Sequence, residues 1–430
     1  MHTIYRMLLL VLFGLLASDL YSMEYDISGT VAGTAEKNYQ KKSSLNPGNV
    51  IDRGYPLSGT ASADVTIGVK LNDAASTTFS DTAYVRHNSY RTNPGNEDEW
   101  EYDNTVRQLY GTAAVGSRLF IDAGRKVERS GVSFYRNPSD FFVSAGETNL
   151  VLSKSEQDKS LVGTTLLKAQ FFATSRLVLG AVYAPEIEVL DNDLHQIQGR
   201  VSYQLDWSDV DVICYYGDGV KLGSNLSANI GDAAGAHVEF GISDEKKRYR
   251  LAETKIPPGA PQEGRYYAPY RQTMDHPWEM IVGGHYTFSD ASNLYAEYYY
   301  NHSGYTQSEW DDLMDIADTC NDISFFFNEV SMKYLNRTLQ KSGGLTSVRR
   351  HYLFLRYAKD DIFFNDFNIA SVVVAGLENP GGLVTISPEY EFTDNAAGRA
   401  DMTVFGGTSK SEYELMYHRF GLLCTVEYVF

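Results

Sequence analysis

The chain has 430 residues, 37 basic and 55 acidic, for a net charge of −18. That balance excludes a nucleic-acid binder, because neutralising a phosphate backbone needs a basic footprint. It has 31 Tyr, 21 Phe and 36 Gly against only 12 Pro and 3 Cys; with a mean hydropathy of −0.30 and no apolar run after Ala17 long enough for a helical span, helical membrane proteins are excluded too.

Residues 1–22 carry Arg6, an apolar run from Met7 to Ala17 and then Asp19. A spanning helix needs roughly 20 apolar residues, so this shorter run reads as a secretory signal peptide cleaved near Ser22. Residues 23–430 follow as one unit. Within it apolar residues recur with a period of two, the mark of a strand with one apolar face. Ala61, Ala63, Val65, Ile67, Val69 and Leu71 alternate with Ser62, Asp64, Thr66 and Lys70. Strands are expected over 25–34, 59–71, 80–90, 105–116 and 118–127. Beyond a long segment at 127–160 they are expected over 161–173, 176–184, 196–205 and 209–217. A loop at 218–233 precedes strands at 234–243 and 247–255, and a loop at 256–277 precedes those at 278–289 and 293–302. The largest loop, 303–348, holds an acidic stretch (Glu309, Asp311, Asp312, Asp315) with helical character and the Phe325–Phe327 run. The remaining strands are 349–359, 365–376, 383–393, 400–408 and 413–430.

A soluble sandwich also alternates, but its connections have no reason to alternate short with long. Here tight turns at 116–117, 173–176, 206–208, 243–246 and 289–292 are separated by the long segments. That asymmetry belongs to a transmembrane antiparallel β-barrel, all-β, of about 18 strands, with 16 as the alternative count. The chain closes on Leu422, Cys424, Val426, Tyr428 and Phe430 in alternation, which has the form of a C-terminal assembly signal, with Tyr428 and Phe430 as the residues read by the barrel-assembly machinery. Cys214, Cys320 and Cys424 read as small hydrophobes.

A barrel this wide encloses water, so function lies in what lines and narrows the lumen. Alternation turns Arg86, Lys168, Arg200, Arg248, Arg250, Arg356 and Arg419 inward, facing Glu239, Glu279 and Glu297. Rings of one sign select ions; these two signs nearly balance. The segment after the fifth strand offers Arg125, Lys126, Arg129, Arg136 and Asp140 as constriction residues. Its Phe141-Phe142 pair needs burial, which favours folding into the mouth, and a solvated external loop is the other arrangement. Catalysis is not expected: Asn301, His302 and Ser303 are adjacent and point to opposite faces, which forbids a relay. No metal spacing, phosphate loop or CxxC occurs, so no cofactor or metal is expected. A plug domain has no room between the signal peptide and the second strand.

The Gly124-Arg125-Lys126 strand end, Gly131 and the Asn137-Pro138-x-Asp140 turn resemble alginate-export-type proteins and related large outer-membrane porins. So do Tyr299–Tyr305, Arg349-Arg350-His351-Tyr352, and the stretch from Phe405-Gly406-Gly407 to Phe430. The resemblance covers most of 105–430 and implies an 18-stranded monomeric channel of the Gram-negative outer membrane, some members exporting anionic polysaccharide through an arginine-rich lumen. The lumen acids of this chain depart from that pattern. The expected function is passive diffusion of small hydrophilic solutes or ions. The alternatives are an exporter working with periplasmic partners and a surface-binding barrel using the 303–348 loop. Outer-membrane lipid and an unidentified permeating solute are the expected partners, with no nucleic acid.

Overall fold

The structure is a computed structural model, described over residues 24–40, 57–91, 96–142, 150, 157, 161–187, 194–254, 266–322, 347–414 and 418–430. The signal peptide and the Phe325–Phe327 run lie outside the described residues. Eighteen strands form one closed antiparallel sheet. In chain order they begin β1 (Glu24–Gln40), β2 (Leu57–Asn72), β3 (Ala75–Arg91), β4 (Asn96–Val115) and β5 (Leu119–Lys126). They continue as β6 (Thr164–Phe172), β7 (Leu177–Ala184), β8 (Gln196–Gln204), β9 (Ser208–Tyr216), β10 (Val220–Ile230) and β11 (Ala234–Ser243). A separate hairpin, β12 (Glu245–Thr254) with β13 (Tyr266–Asp275), stands outside the barrel wall. The wall resumes with β14 (Trp278–Thr287), β15 (Asn293–Asn301), β16 (His351–Lys359), β17 (Phe367–Gly376), β18 (Gly381–Thr393), β19 (Ala396–Gly407) and β20 (His418–Val429). β20 pairs with β1 from Thr30↔Val429 to Gln40↔His418, which leaves no open edge.

The count of eighteen is met with one exchange of members. Residues 218–233, read as a loop, contain β10, which pairs with both β9 and β11. Of the residues read as a wall strand at 247–255, 247–254 belong to β12, which pairs among the described residues with β13 alone, and β13 lies inside the segment read as loop 256–277. The acidic run at Glu97, Asp98, Glu99 and Glu101, which falls between the strands expected over 80–90 and 105–116, lies in the first half of β4. β4 meets β5 only over Leu109–Val115, so that first half rises above β5 and pairs with β3 alone.

All connections at the end where β1 enters are short, as at 73–74, 116–118, 231–233 and 394–395. The other end carries the long segments. One of them holds the helix α1 (Gln307–Asp322). Its start is a capping box: Glu309 N–H donates to Thr306 Oγ1 (3.3 Å), and Thr306 N–H to Glu309 Oε2 (3.0 Å).

The wall is inverted relative to a soluble protein. Ile197, Val212, Leu222, Val282, Val404 and Val426 stand exposed on the outside. Gln198, Asp211, Asn225, Glu239 and Glu297 are buried on the inside. Strands of nine or ten residues at ~3.3 Å per residue, tilted by about 40°, make an apolar belt about 25 Å tall.

Candidate functional site

The segment after β5 turns into the barrel, the inward arrangement. Asp140 ties its two limbs together: it accepts from the amides of Ser130 and Gly131 (2.7 Å for Gly131) and pairs with Arg129 Nε at 3.2 Å. Two wall carboxylates then hold the loop. Glu239 on β11 accepts from Val132 N (3.0 Å), Ser133 N (3.2 Å), Ser133 Oγ (3.0 Å), Ser139 N (2.9 Å) and Ser139 Oγ (2.9 Å). Glu297 on β15 accepts from Phe134 N (2.6 Å) and Tyr135 N (2.7 Å), with His237 Nε2 at 2.9 Å from the same carboxylate. On β10, Asn225 Nδ2 donates to the Ser130 carbonyl (2.5 Å), and its Oδ1 accepts from Ser139 Oγ (2.9 Å). Backbone amides of an irregular loop are thereby satisfied where no water-filled exterior can reach them.

Apolar packing completes the docking. Phe134 and Tyr135 stack on Phe354 at centroid distances of 5.7 and 5.4 Å. They sit in a buried cluster with Ile281, Tyr299, Tyr352, Val372, Val374 and Tyr413. Phe142 packs with Leu166, Val182, Ala184 and Tyr215, while Phe141 lies partly buried against that group. Two wall glycines make the approach close enough. A Cβ on Gly241 would strike the Pro138 carbonyl, and one on Gly223 would lie 2.9 Å from Ser139 Cβ.

Docking divides the lumen. Inward residues of β9–β11 and β15–β17 are buried beneath the loop, among them Asp211, Asn225, Glu239, Glu297, Phe354 and Val372. Inward residues of β1 and β2, such as Ala32, Thr34, Thr60, Ser62 and Thr66, remain half-exposed. Among the described residues, the exposed part of the inner face lies along this second wall.

The sequence-selected residues fall into distinct places. Lys126 faces the lumen and pairs with Asp122 at 2.5 Å. Arg129 and Asp140 lock the loop, and Arg136 Nη2 donates to Ser347 Oγ at 2.8 Å. Arg125 does not join them. It pairs in register with Leu109, an exposed outward residue, and its Nε donates to the Gly163 carbonyl at 3.0 Å. Lys168 holds Glu128 (2.7 Å), Arg200 holds Asp211 (2.7 Å), and Arg86 lies 3.6 Å from Glu101. Arg356 lies over the Phe134 ring at 5.1 Å, and Arg419 is exposed at the loop end of β20. Glu279 accepts from Tyr299 and from Lys246, each at 2.6 Å. Arg248 and Arg250 are not lumen residues: they belong to the hairpin and grip Glu309 of α1 at 2.5 and 3.1 Å. Period-two counting put them inside because it assigned β12 to the wall. Asn301 and Ser303 bond to each other at 2.7 Å while His302 stacks on Trp278. Tyr428 points outward, and the Phe430 backbone exchanges two hydrogen bonds with Gly29. Asn225, Ser133 and Ser139 escaped sequence reasoning, since lone Ser and Asn residues carry no spacing signal.

At the loop end, Glu412 enters the same aromatic cluster, accepting from Tyr352 Oη at 2.9 Å. Burial pushes its carboxyl from the ordinary 4.5 up to about 8, against the downward pull of Tyr352 and Arg349. A carboxyl raised in the folded state contributes stability that is fully present below about 4.5 and is lost as the pH rises to about 8. Hydrogen exchange at 408–414, corrected for intrinsic rates, is therefore expected to be faster at pH 9 than at pH 6. Glu412→Gln is expected to abolish that difference; equal protection of the unsubstituted chain at both pH values would contradict it.

No protein-family model matches the sequence, and no curated protein is significantly similar to it. Solved structures are similar in fold. OccK5 (OpdH) of Pseudomonas aeruginosa superposes with a TM-score of 0.52 at 8% identity, covering 94% of this chain and 98% of that one. OccAB1 of Acinetobacter baumannii gives 0.51 at 10% identity over 95% and 96%. OccK11 (OpdR) of Pseudomonas aeruginosa gives 0.51 at 8% over 94% and 95%. The barrel fold of this chain is thus like that of OccK5, OccAB1 and OccK11, and the likeness is not specific to alginate-export-type barrels.

Proposed function

We propose that this chain is an outer-membrane channel through which small hydrophilic solutes diffuse passively, narrowed by the loop at 127–142. The single observation that carries this reading is the edgeless closed wall with apolar residues exposed on its outside, and inside it a docked loop on one side and half-exposed polar residues on the other. Lipid is the only solvent in which such an exterior is favourable, and water the one that suits the half-exposed polar side of the interior. Residues 1–22 would serve as the cleaved export signal to that membrane, and Tyr428 with Phe430 as the contact for its barrel-assembly machinery. Lys126, Arg129, Arg136 and Asp140 would shape the narrow zone, the first by facing the passage and the others by holding the loop. A polysaccharide exporter of the alginate type would call for unpaired lumen arginines. The pairing of Arg200 with Asp211 and of Lys168 with Glu128 favours the diffusion channel instead.

Planar-bilayer recording tests this directly. The full chain is expected to insert as discrete steps of ohmic conductance in KCl. Insertion shown by protease protection, with no conductance at any voltage, would overturn it.

A further inference from the structure

We propose, resting on the channel reading above, that the channel prefers cations, with small amines as its organic class. Its solutes travel along the wall made by β18–β20 and β1–β4.

The sheet register sets the inner face of that wall in rows. One row crosses seven neighbouring strands, from Glu391 on β18 through Glu427 on β20 to Asp103 on β4. It carries those three carboxylates and no base. The adjoining row towards the loops is balanced: Glu389 lies 3.7 Å from Arg399, and Glu101 lies 3.6 Å from Arg86. In the row beyond, Asp401 shares the same Arg399 at 3.3 Å, and Glu36 sits between Leu423 and Ser58. Of the other bases, Arg107 lies 3.3 Å from Asp64, and Lys70 lies 3.7 Å from Glu24 and 3.0 Å from Asp73.

The acids outnumber these bases. Asp26, Glu36, Asp103, Glu391 and Glu427 form no ion pair among the described residues, and all are exposed or half-exposed. Against them stands Arg419, exposed at the loop end of β20. The hydrogen bonds these acids accept come from neutral groups. Asn38 Nδ2 donates to Glu36 at 2.5 Å, Asn368 Nδ2 to Glu391 at 2.8 Å, and Thr105 Oγ1 to Asp103 at 3.0 Å. Asn88 is an independent sign of the same preference. It follows Ser58 in the row of Glu36, is 1% exposed, and its Oδ1 accepts no hydrogen bond among the described residues. That oxygen lacks a donor, which an ammonium group, with three N–H bonds, supplies.

Carboxylates without counter-charges along a pore draw cations in and turn anions away. Glu391 and Glu427 lie two strands apart, about 10 Å at the usual strand spacing of ~4.8 Å. That matches the Debye length of about 10 Å at about 0.1 M salt, so their fields overlap. An ion that sheds water here has the loss offset only if it is a cation. Between the acids, the hydroxyls of Thr34, Thr60 and Ser62 accept from ammonium N–H groups as water does.

Planar bilayers holding the full chain test this under a KCl gradient. The zero-current potential is expected to take the sign set by potassium, with cations favoured several-fold over chloride and less so as salt rises. With KCl facing ethanolammonium chloride, the amine is expected to pass more readily than chloride. Glu391→Gln with Glu427→Gln should lower the cation preference roughly twofold. Glu36→Gln, on the same wall, should change it in the same direction and serves if the double variant does not insert. Conductance that favours chloride, or neither ion, overturns the cation proposal and leaves the channel standing. An amine less permeant than chloride overturns the amine class. Absence of conductance at every voltage overturns the channel itself. A cation preference that these variants leave unchanged would mean that solutes do not travel along this wall, which also overturns the proposal.

Discussion

Replacing Glu239 by alanine is expected to raise the unitary conductance and make it noisy while leaving the barrel folded. The carboxylate is fully buried and receives five hydrogen bonds from Val132, Ser133 and Ser139. Removing the acceptor takes the partner from the Val132 and Ser139 amides, at about 1–3 kcal/mol for each that stays buried and unpaired, while Ser139 Oγ keeps Asn225 Oδ1. The sum exceeds what the loop can tolerate in place, so the relaxed outcome is partial undocking, in which the donors meet lumen water. Glu297 still holds Phe134 and Tyr135, and both rings still stack on Phe354. The single variant should therefore fluctuate between docked and undocked loops. Glu239→Ala with Glu297→Ala should remain open at a conductance above either single variant. Eighteen paired strands do not depend on the loop, so the barrel should keep its heat-dependent gel mobility. Unchanged conductance in the double variant would show that the loop does not narrow the passage.

The outer face was legible in the sequence because lipid imposes one preference on the strands, apolar residues at most second positions, with few exceptions such as Ser224 and Ser371. The inner face obeys local needs instead. β10 shows why it was missed: Gly223, Ser224, Asn225, Ser227 and Asn229 have the composition of a loop. Those that point inward are small or polar because the docked loop requires it, Gly223 for space beside Ser139 and Asn225 for the Ser130 carbonyl. The outward Val220, Leu222, Leu226 and Ile230 hold the period, which the outward Ser224 interrupts. β12 erred in the opposite sense. Its alternation is real, yet its partner is β13, and nothing in a period of two says which strand lies alongside. The loop carboxylate Asp140 was found from its turn signal. The Glu239 clamp could not be assigned its role, since its partners lie about a hundred positions away in the chain and amide donors have no sequence identity.

The belt itself yields the second large effect. Val212 lies at the centre of β9, faces outward and is 51% exposed, paired in register with Val201 of β8. In a bilayer, Val212→Arg should lower folding stability by about 2–4 kcal/mol, the cost of an arginine near the midplane. Ser62→Arg, on the inward half-exposed face of β2, puts the same group into lumen water, where a surface substitution changes stability by only about 0.5 kcal/mol. Unfolding by urea in lipid vesicles measures both. A water-soluble sandwich makes the opposite prediction, because there Val212 would be an ordinary surface position and an arginine would be welcome on it. Arginine at 62 would then lie towards a packed interior and be the damaging change. The sign of the difference between two variants therefore separates lipid from water as the solvent of the outer face. It does so without a permeation assay, and every assignment of a residue to lumen or exterior depends on that sign.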